Sequence, residues 1–142
     1  MVRRREEEYL EIIYLLSKEK GVIRVKDLAS MLGVKPPSVV EYLNKLSNKG
    51  YITYEKGEYI LLKEEGRKIA EEIYARHIAI KEFLIMLLGI PEDIAEEDAC
   101  YIEHGLSKLT LDRIKKLVEY LKSNPEEIDK WISSIRSYLE SK

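Results

Sequence analysis

The sequence has 142 residues, 45% apolar and 35% charged, with net charge −2 and one cysteine. That length carries one conventional core or two small ones, and the balance of residue types is that of a folded globular chain. No apolar run nears the ~20 residues that span a bilayer, no apolar stretch with a cleavage site follows the N-terminal arginines, and a lone cysteine makes no internal disulfide, so a cytoplasmic setting is expected.

Over residues 6–17, Tyr9, Leu10, Ile12, Ile13, Leu15 and Leu16 recur near helical spacing and predict a first helix ending near Lys20 and Gly21. "VKDLASMLG" predicts a short second helix with Leu28, Ala29 and Leu32 inward and Gly33 at its end. "VKPPSVVEYLNKLSNKG" opens a third, because prolines suit the first turn of a helix and break its interior. Val39, Tyr42, Leu43 and Leu46 form its buried face, and Gly50 closes it. "YITYEKGEYILL" then changes period: β-prone runs at 51–55 and 58–62 flank Lys56 and Gly57, a hairpin signal. Three helices followed by a tight hairpin is the outline of a winged helix-turn-helix.

A long helix is expected from about residue 63 to Leu88, with Ile69, Ile73, Ile80, Phe83, Leu84 and Leu87 on its apolar side, stopping at "LGIPED". Residues 91–106 predict a fifth helix and 107–121 a sixth. After "SNPEE" comes a last helix over 125–139 carrying Ile128, Trp131, Ile132, Ile135 and Leu139, with Trp131 expected in the core. The expected fold class is mainly α: an N-terminal winged helix-turn-helix over residues 1–74, joined to an all-helical domain over 75–142, the boundary falling near Tyr74.

Charge is unevenly distributed. Residues 18–68 hold eleven Lys/Arg against seven Asp/Glu, whereas residues 75–142 hold ten against thirteen. Such asymmetry suggests that the first half meets an anion. On the third helix Pro37, Ser38, Glu41, Asn44, Lys45 and Asn48 point away from the core, as a recognition helix requires. Ser38 and Asn44 can donate and accept, Lys45 and Lys49 suit phosphate, and Lys35 and Lys56 (the latter at the wing tip) extend the surface. Glu41 repels phosphate but can accept from a cytosine amino group. Any one of these residues reads equally well as solvated helix surface; the combination favours DNA.

"CYIEHGL" places Cys100, Glu103 and His104 at i, i+3 and i+4, on one face of the expected fifth helix. Glu8 and Glu11 stand at i and i+3 of the first helix, and His77 lies on the long helix. Taken singly, Cys100 reads as a small buried hydrophobe and His104 as a packed histidine. Two imidazoles, a thiolate and carboxylates together suit a first-row divalent metal such as Fe²⁺, Mn²⁺, Ni²⁺, Co²⁺ or Zn²⁺.

The stretches "EYLEIIY", "VKPPSVVEYLNKLSNKGYI", "LLKEEGRKIAEEIYARH" and "CYIEHGLS" stand in the order and spacing of the DtxR/MntR family of metal-dependent transcriptional repressors, which the chain resembles to about Leu121. The resemblance implies a winged-helix DNA-binding domain, a helical metal-binding and dimerisation domain, and Glu8, Glu11, His77, Cys100, Glu103 and His104 as metal ligands. It also implies a homodimer on palindromic operator DNA, with no organic cofactor and no membrane, repressing metal-uptake genes when metal is plentiful. The carboxylate pair on the first helix and the short chain, with no room for a C-terminal SH3-like domain, match the manganese branch. Cys100 matches the iron branch. Lys81 and Glu96 depart from that branch's ancillary site. The thiolate gives a slight lean to Fe²⁺ over Mn²⁺. The alternative is a metal-independent winged-helix regulator that answers a small organic ligand. With no Gly-rich phosphate loop and no nucleophile elbow, an enzyme is not expected.

Overall fold

The helical periods of the sequence become seven helices and one short antiparallel ladder among the residues that the computed structural model describes, 4–55 and 59–142. The order is α1 (Arg4–Glu19), α2 (Val25–Leu32), α3 (Pro36–Asn48), β1 (Ile52–Thr53), β2 (Leu61–Leu62), α4 (Glu64–Leu88), α5 (Glu92–Ile102), α6 (Lys108–Ser123) and α7 (Pro125–Glu140). The chain divides into two units, Met1–Tyr74 and Ala75–Lys142.

The first unit is built on an apolar core drawn from every one of its elements. Tyr9, Leu10 and Ile13 of α1, Leu28 of α2, Val39, Leu43 and Leu46 of α3, Ile52 and Ile60 of the hairpin and Ala70 of α4 are all almost fully buried. Each large aliphatic side chain withdrawn from water contributes roughly 1.5–3 kcal/mol, which holds α3 in place with its other face to solvent. Pro36 occupies the first turn of α3, where its missing N–H is not needed. Gly50, at φ 82°, then reverses the chain into β1.

The ladder pairs Ile52 with Leu62 and Thr53 with Leu61, and a single bridge joins Ile23 to Ile60. The strands are shorter than the predicted runs at 51–55 and 58–62. Tyr59 and Leu61 are about half exposed, and a two-stranded ribbon with one wet face is only marginally held by its own pairing. The expected turn at Lys56 and Gly57 lies outside the described residues. Gly66 fixes how α4 leaves the wing: a Cβ there would stand 2.1 Å from the Tyr51 carbonyl oxygen, so no other residue allows this approach.

In the second unit, Ile80 and Leu84 of α4 pack with Ala95 and Ala99 of α5 and Leu111 of α6, and Leu121 packs with Ile128 and Ile132 of α7. Two expectations are corrected here. The fifth helix was expected over residues 91–106, but it ends at Ile102. The Glu103 N–H still reaches the Ala99 carbonyl at 3.0 Å, after which the Gly105 N–H turns back to Ile102 at 2.9 Å. Glycine is a poor helix residue, and Ser107 competes by capping α6, its hydroxyl accepting from the Thr110 N–H. The second correction is Trp131, which is 56% exposed rather than in the core. Ile128 and Ile132 centre the buried stripe of α7, and at 3.6 residues per turn Trp131 sits about 80° round from it.

Candidate metal centre and nucleic-acid interface

In the first unit, α1 presents Glu8 and Glu11 one turn apart. Arg5 Nη1 donates to Glu8 Oε2 at 2.6 Å, and Arg4 Nε lies 3.8 Å from Glu8 Oε1. Glu8 is half-buried. Glu11 is 8% exposed, a depth at which a carboxylate's lost solvation is offset only by donors or a cation.

The second unit gathers its titratable groups around one carboxylate. Glu103, wholly buried, has its Oε2 2.9 Å from His77 Nδ1 and its Oε1 2.9 Å from His104 Nε2. The other nitrogen of His77, Nε2, lies 2.7 Å from Glu96 Oε1. Glu96 Oε2 in turn takes Lys81 Nζ at 2.9 Å, and Lys81 also reaches Glu92 at 3.3 Å. With carboxylates at both ring nitrogens, His77 donates twice only as the imidazolium. The hydrogen bond to Glu103 accordingly raises its pKa above the ordinary histidine value, against the opposing pull of burial and with help from Glu96. Burial pushes the Glu96 carboxyl upward, but Lys81 and His77 outweigh it and hold it below its usual value.

This donor set fits a divalent first-row metal. Imidazole exchanges a proton for a cation without changing its position, and a buried carboxylate flanked by imidazoles offers oxygen and nitrogen ligands out of bulk water. The described structure thus brings together His77, Glu103 and His104. Cys100, expected to read as a buried hydrophobe when taken alone, is exposed. It precedes Glu103 by three residues and keeps the helical relation to it, whereas His104 lies past the end of α5, so the three do not share one helix face as expected.

The nucleic-acid face of the first unit is carried by α3. Lys35, Pro37, Ser38, Glu41, Asn44 and Lys45 are all exposed. Glu41 lies 3.4 Å from Lys45, and Lys45 Nζ stands 4.9 Å from the Tyr42 ring centroid. Lys49, expected to face phosphate, donates to Glu6 Oε2 at 2.7 Å. Lys56 lies outside the described residues.

Two residues escaped the sequence reading as parts of these sites. Glu96 was legible, since it precedes Cys100 by four and Glu103 by seven, a helical repeat. Glu6 was not: in the run "RRREEE" it looks like solvated surface, yet it is 3% exposed.

Comparison with known proteins adds independent findings. The family model described as the N-terminal DNA-binding domain of the iron-dependent repressors matches residues 1–58. Their metal-binding and dimerisation domain matches residues 63–132. The HTH-type transcriptional regulator MntR of Geobacillus kaustophilus is 39% identical over 123 residues, 87% of this chain and 86% of that protein. Among solved structures, the manganese regulator SloR superposes with a TM-score of 0.69 at 32% identity, covering 81% of this chain. A manganese-dependent transcriptional repressor in complex with manganese superposes with a TM-score of 0.74 at 26% identity, also over 81% of this chain. This chain spans about half the length of those two proteins, 54% and 53%.

Proposed function

The chain belongs to the iron-dependent repressor family, the metal-dependent DNA-binding repressors of transcription, and from that premise we propose that bound divalent metal sets a homodimer for its operator. The ligands in this proposal are Glu8 and Glu11 of α1 with His77, Cys100, Glu103 and His104 of the second unit. The observation that carries it is the buried Glu103 carboxylate between two imidazoles.

The metal supplies positive charge that offsets the repulsion among these carboxylates. The chain's own residues do the rest. His77 gives up its Nε2 or Nδ1 proton on binding, Glu103 keeps His77 and His104 oriented, and Glu8 and Glu11 tie α1 to that state. In a two-fold dimer this fixes the spacing of the two α3 helices at about 34 Å, one duplex turn, which selects a palindromic operator. Pro37, Ser38, Glu41 and Asn44 then face base edges, and Lys35, Lys45, Lys49 and Lys56 face phosphate.

The preferred metal is Mn²⁺. Three carboxylates and two imidazoles suit it, and the relatives reported above carry manganese in their names. The lean to Fe²⁺ rests on the Cys100 thiol alone. Repression of metal-uptake genes in the cytoplasm, with no organic cofactor, completes the reading.

Fluorescence anisotropy with an operator selected from random palindromes tests it, comparing Mn²⁺, anaerobic Fe²⁺ and chelator. Metal should tighten binding by about 5- to 150-fold, and operator DNA should tighten metal binding by the same factor. Glu11→Ala should lose that stimulation while keeping the fold. Stimulation that persists in Glu11→Ala sinks the ligand assignment, and equal binding in chelator sinks the metal switch.

A further inference from the structure

Helix α1 carries two of the proposed ligands and α3 carries the base-reading residues, and both lie in the first unit. Two directional contacts join them. Glu6, in the first turns of α1, accepts from Lys49, the residue that caps the C-terminal end of α3, with 2.7 Å between Nζ and Oε2. The Glu6 side chain is 4% exposed and that of Lys49 is 36% exposed, so the pair is anchored at its carboxylate end and open to solvent at its ammonium.

One turn further along, the Tyr9 ring stacks on Tyr42 of α3, with centroids 4.8 Å apart and planes 20° from parallel. A cation closes each end of the stack: Arg5 lies 6.0 Å from the Tyr9 centroid and Lys45 lies 4.9 Å from that of Tyr42. Tyr9 is completely buried, and its hydroxyl has no hydrogen-bond partner among the described residues. The ring, rather than the hydroxyl, therefore holds it there.

The placement of these residues around α1 matters. Glu6 and Tyr9 form one i, i+3 stripe, and Glu8 and Glu11 form another. At 3.6 residues per turn the two stripes lie about 160° apart, on opposite sides of the helix. A helix is stiff over two turns, so a shift imposed on one side is delivered to the other. Aliphatic contacts between α1 and α3 tolerate sliding, whereas an ion pair and an offset ring stack define register along and around the helix.

We propose that the Glu6–Lys49 ion pair and the Tyr9–Tyr42 stack are positioning contacts that transmit the state of α1 to the recognition helix. They thereby set how strongly metal occupancy is read as operator affinity. This rests on the metal-switch reading above.

The test measures operator affinity at saturating Mn²⁺ and in chelator, for wild type, Glu6→Gln, Lys49→Met, Tyr42→Ala and Tyr42→Phe. Mn²⁺ affinity without DNA and thermal unfolding are recorded for each. Glu6→Gln and Tyr42→Ala should cut the ratio of the two operator affinities about tenfold, within the ordinary range of coupling between sites. Their Mn²⁺ affinity without DNA should stay within about twofold of wild type. Tyr42→Phe, which keeps the ring, should keep the ratio.

Each other pattern has its own meaning. A merely structural role would lower the unfolding temperature and leave the ratio intact, which overturns the proposal. If Lys49 acts only as a phosphate contact, Lys49→Met should weaken binding equally with and without Mn²⁺ and reduce the salt slope by about one. An intact ratio in that variant, together with an intact ratio in Glu6→Gln, removes the ion pair from the link. A wild-type protein that Mn²⁺ does not stimulate defeats the metal switch itself. Stimulated wild type with equally stimulated variants defeats this link alone.

Discussion

Each unit buries a carboxylate, and each solves the resulting problem differently. In the first, Glu6 is satisfied by the ammonium of Lys49. In the second, Glu103 lies between the imidazoles of His77 and His104. Lysine stays protonated far above neutral pH and has no lone pair to offer a metal, so the Glu6 pair is a fixed tie. Imidazole loses its proton near neutrality and then binds a cation at the same nitrogen, so the Glu103 cluster can exchange its partner. Burial of a carboxylate therefore says little about function until the chemistry of its counter-ion is known.

Replacing Glu103 by Gln breaks this contrast most severely, because it removes the charge on which both imidazoles are oriented. Mn²⁺ affinity should fall by about 100-fold or more, measured by titration calorimetry on a variant whose helical circular dichroism matches wild type. Wild-type affinity in Glu103→Gln would make the cluster a structural network only.

The next effect belongs to the fixed tie. Lys49→Met leaves Glu6 buried without its ammonium and should lower unfolding stability in urea by about 1–3 kcal/mol, less than for a fully buried pair because Lys49 is partly solvated. Combining it with Glu6→Gln should recover most of the loss. A double variant as unstable as Lys49→Met would mean that the lysine stem, and not the charge, is what matters.

Varying pH distinguishes the two solutions without altering Glu6 or Glu103. His77 has a raised pKa in the folded chain, so its contribution to the metal-free protein is complete below about pH 6.5, its ordinary unfolded value, and is lost as pH rises through the folded value. Thermal scans in chelator should show stability declining upward from that pH in wild type and a flatter profile in His77→Gln. Identical profiles would place the proton elsewhere.

The smallest effect calibrates the comparison. Glu64 pairs with Arg67 at 2.7 Å, and both side chains are about half exposed. The hydrogen bond from Arg67 holds the Glu64 carboxyl below its usual value. Glu64→Gln should leave the midpoint of the same urea titration nearly unchanged, as loss of an exposed pair does. A loss as large as that of Lys49→Met would show that burial is not what separates Glu6 from an ordinary surface acid.

The sequence by itself determined the seven helices, the hairpin behind the third of them, and the outward face of that helix. Those features follow from local period and from glycine and proline chemistry: Pro36 at the start of α3, Gly50 at its end, and the apolar repeat of Tyr9, Leu10 and Ile13. It also marked Glu103 and His104 as metal-capable, because their residue types are unusual together. Only the tertiary structure decided which charges are withdrawn from water. Glu6 and Glu7 are neighbours in a run of acids, yet Glu6 is buried against Lys49, 43 residues away in sequence. The end of α5 at Ile102 and the exposure of Trp131 were likewise settled by packing and by competing caps. Local sequence fixes which face of a helix is apolar, but the partner that meets a buried charge is chosen by contacts far apart along the chain.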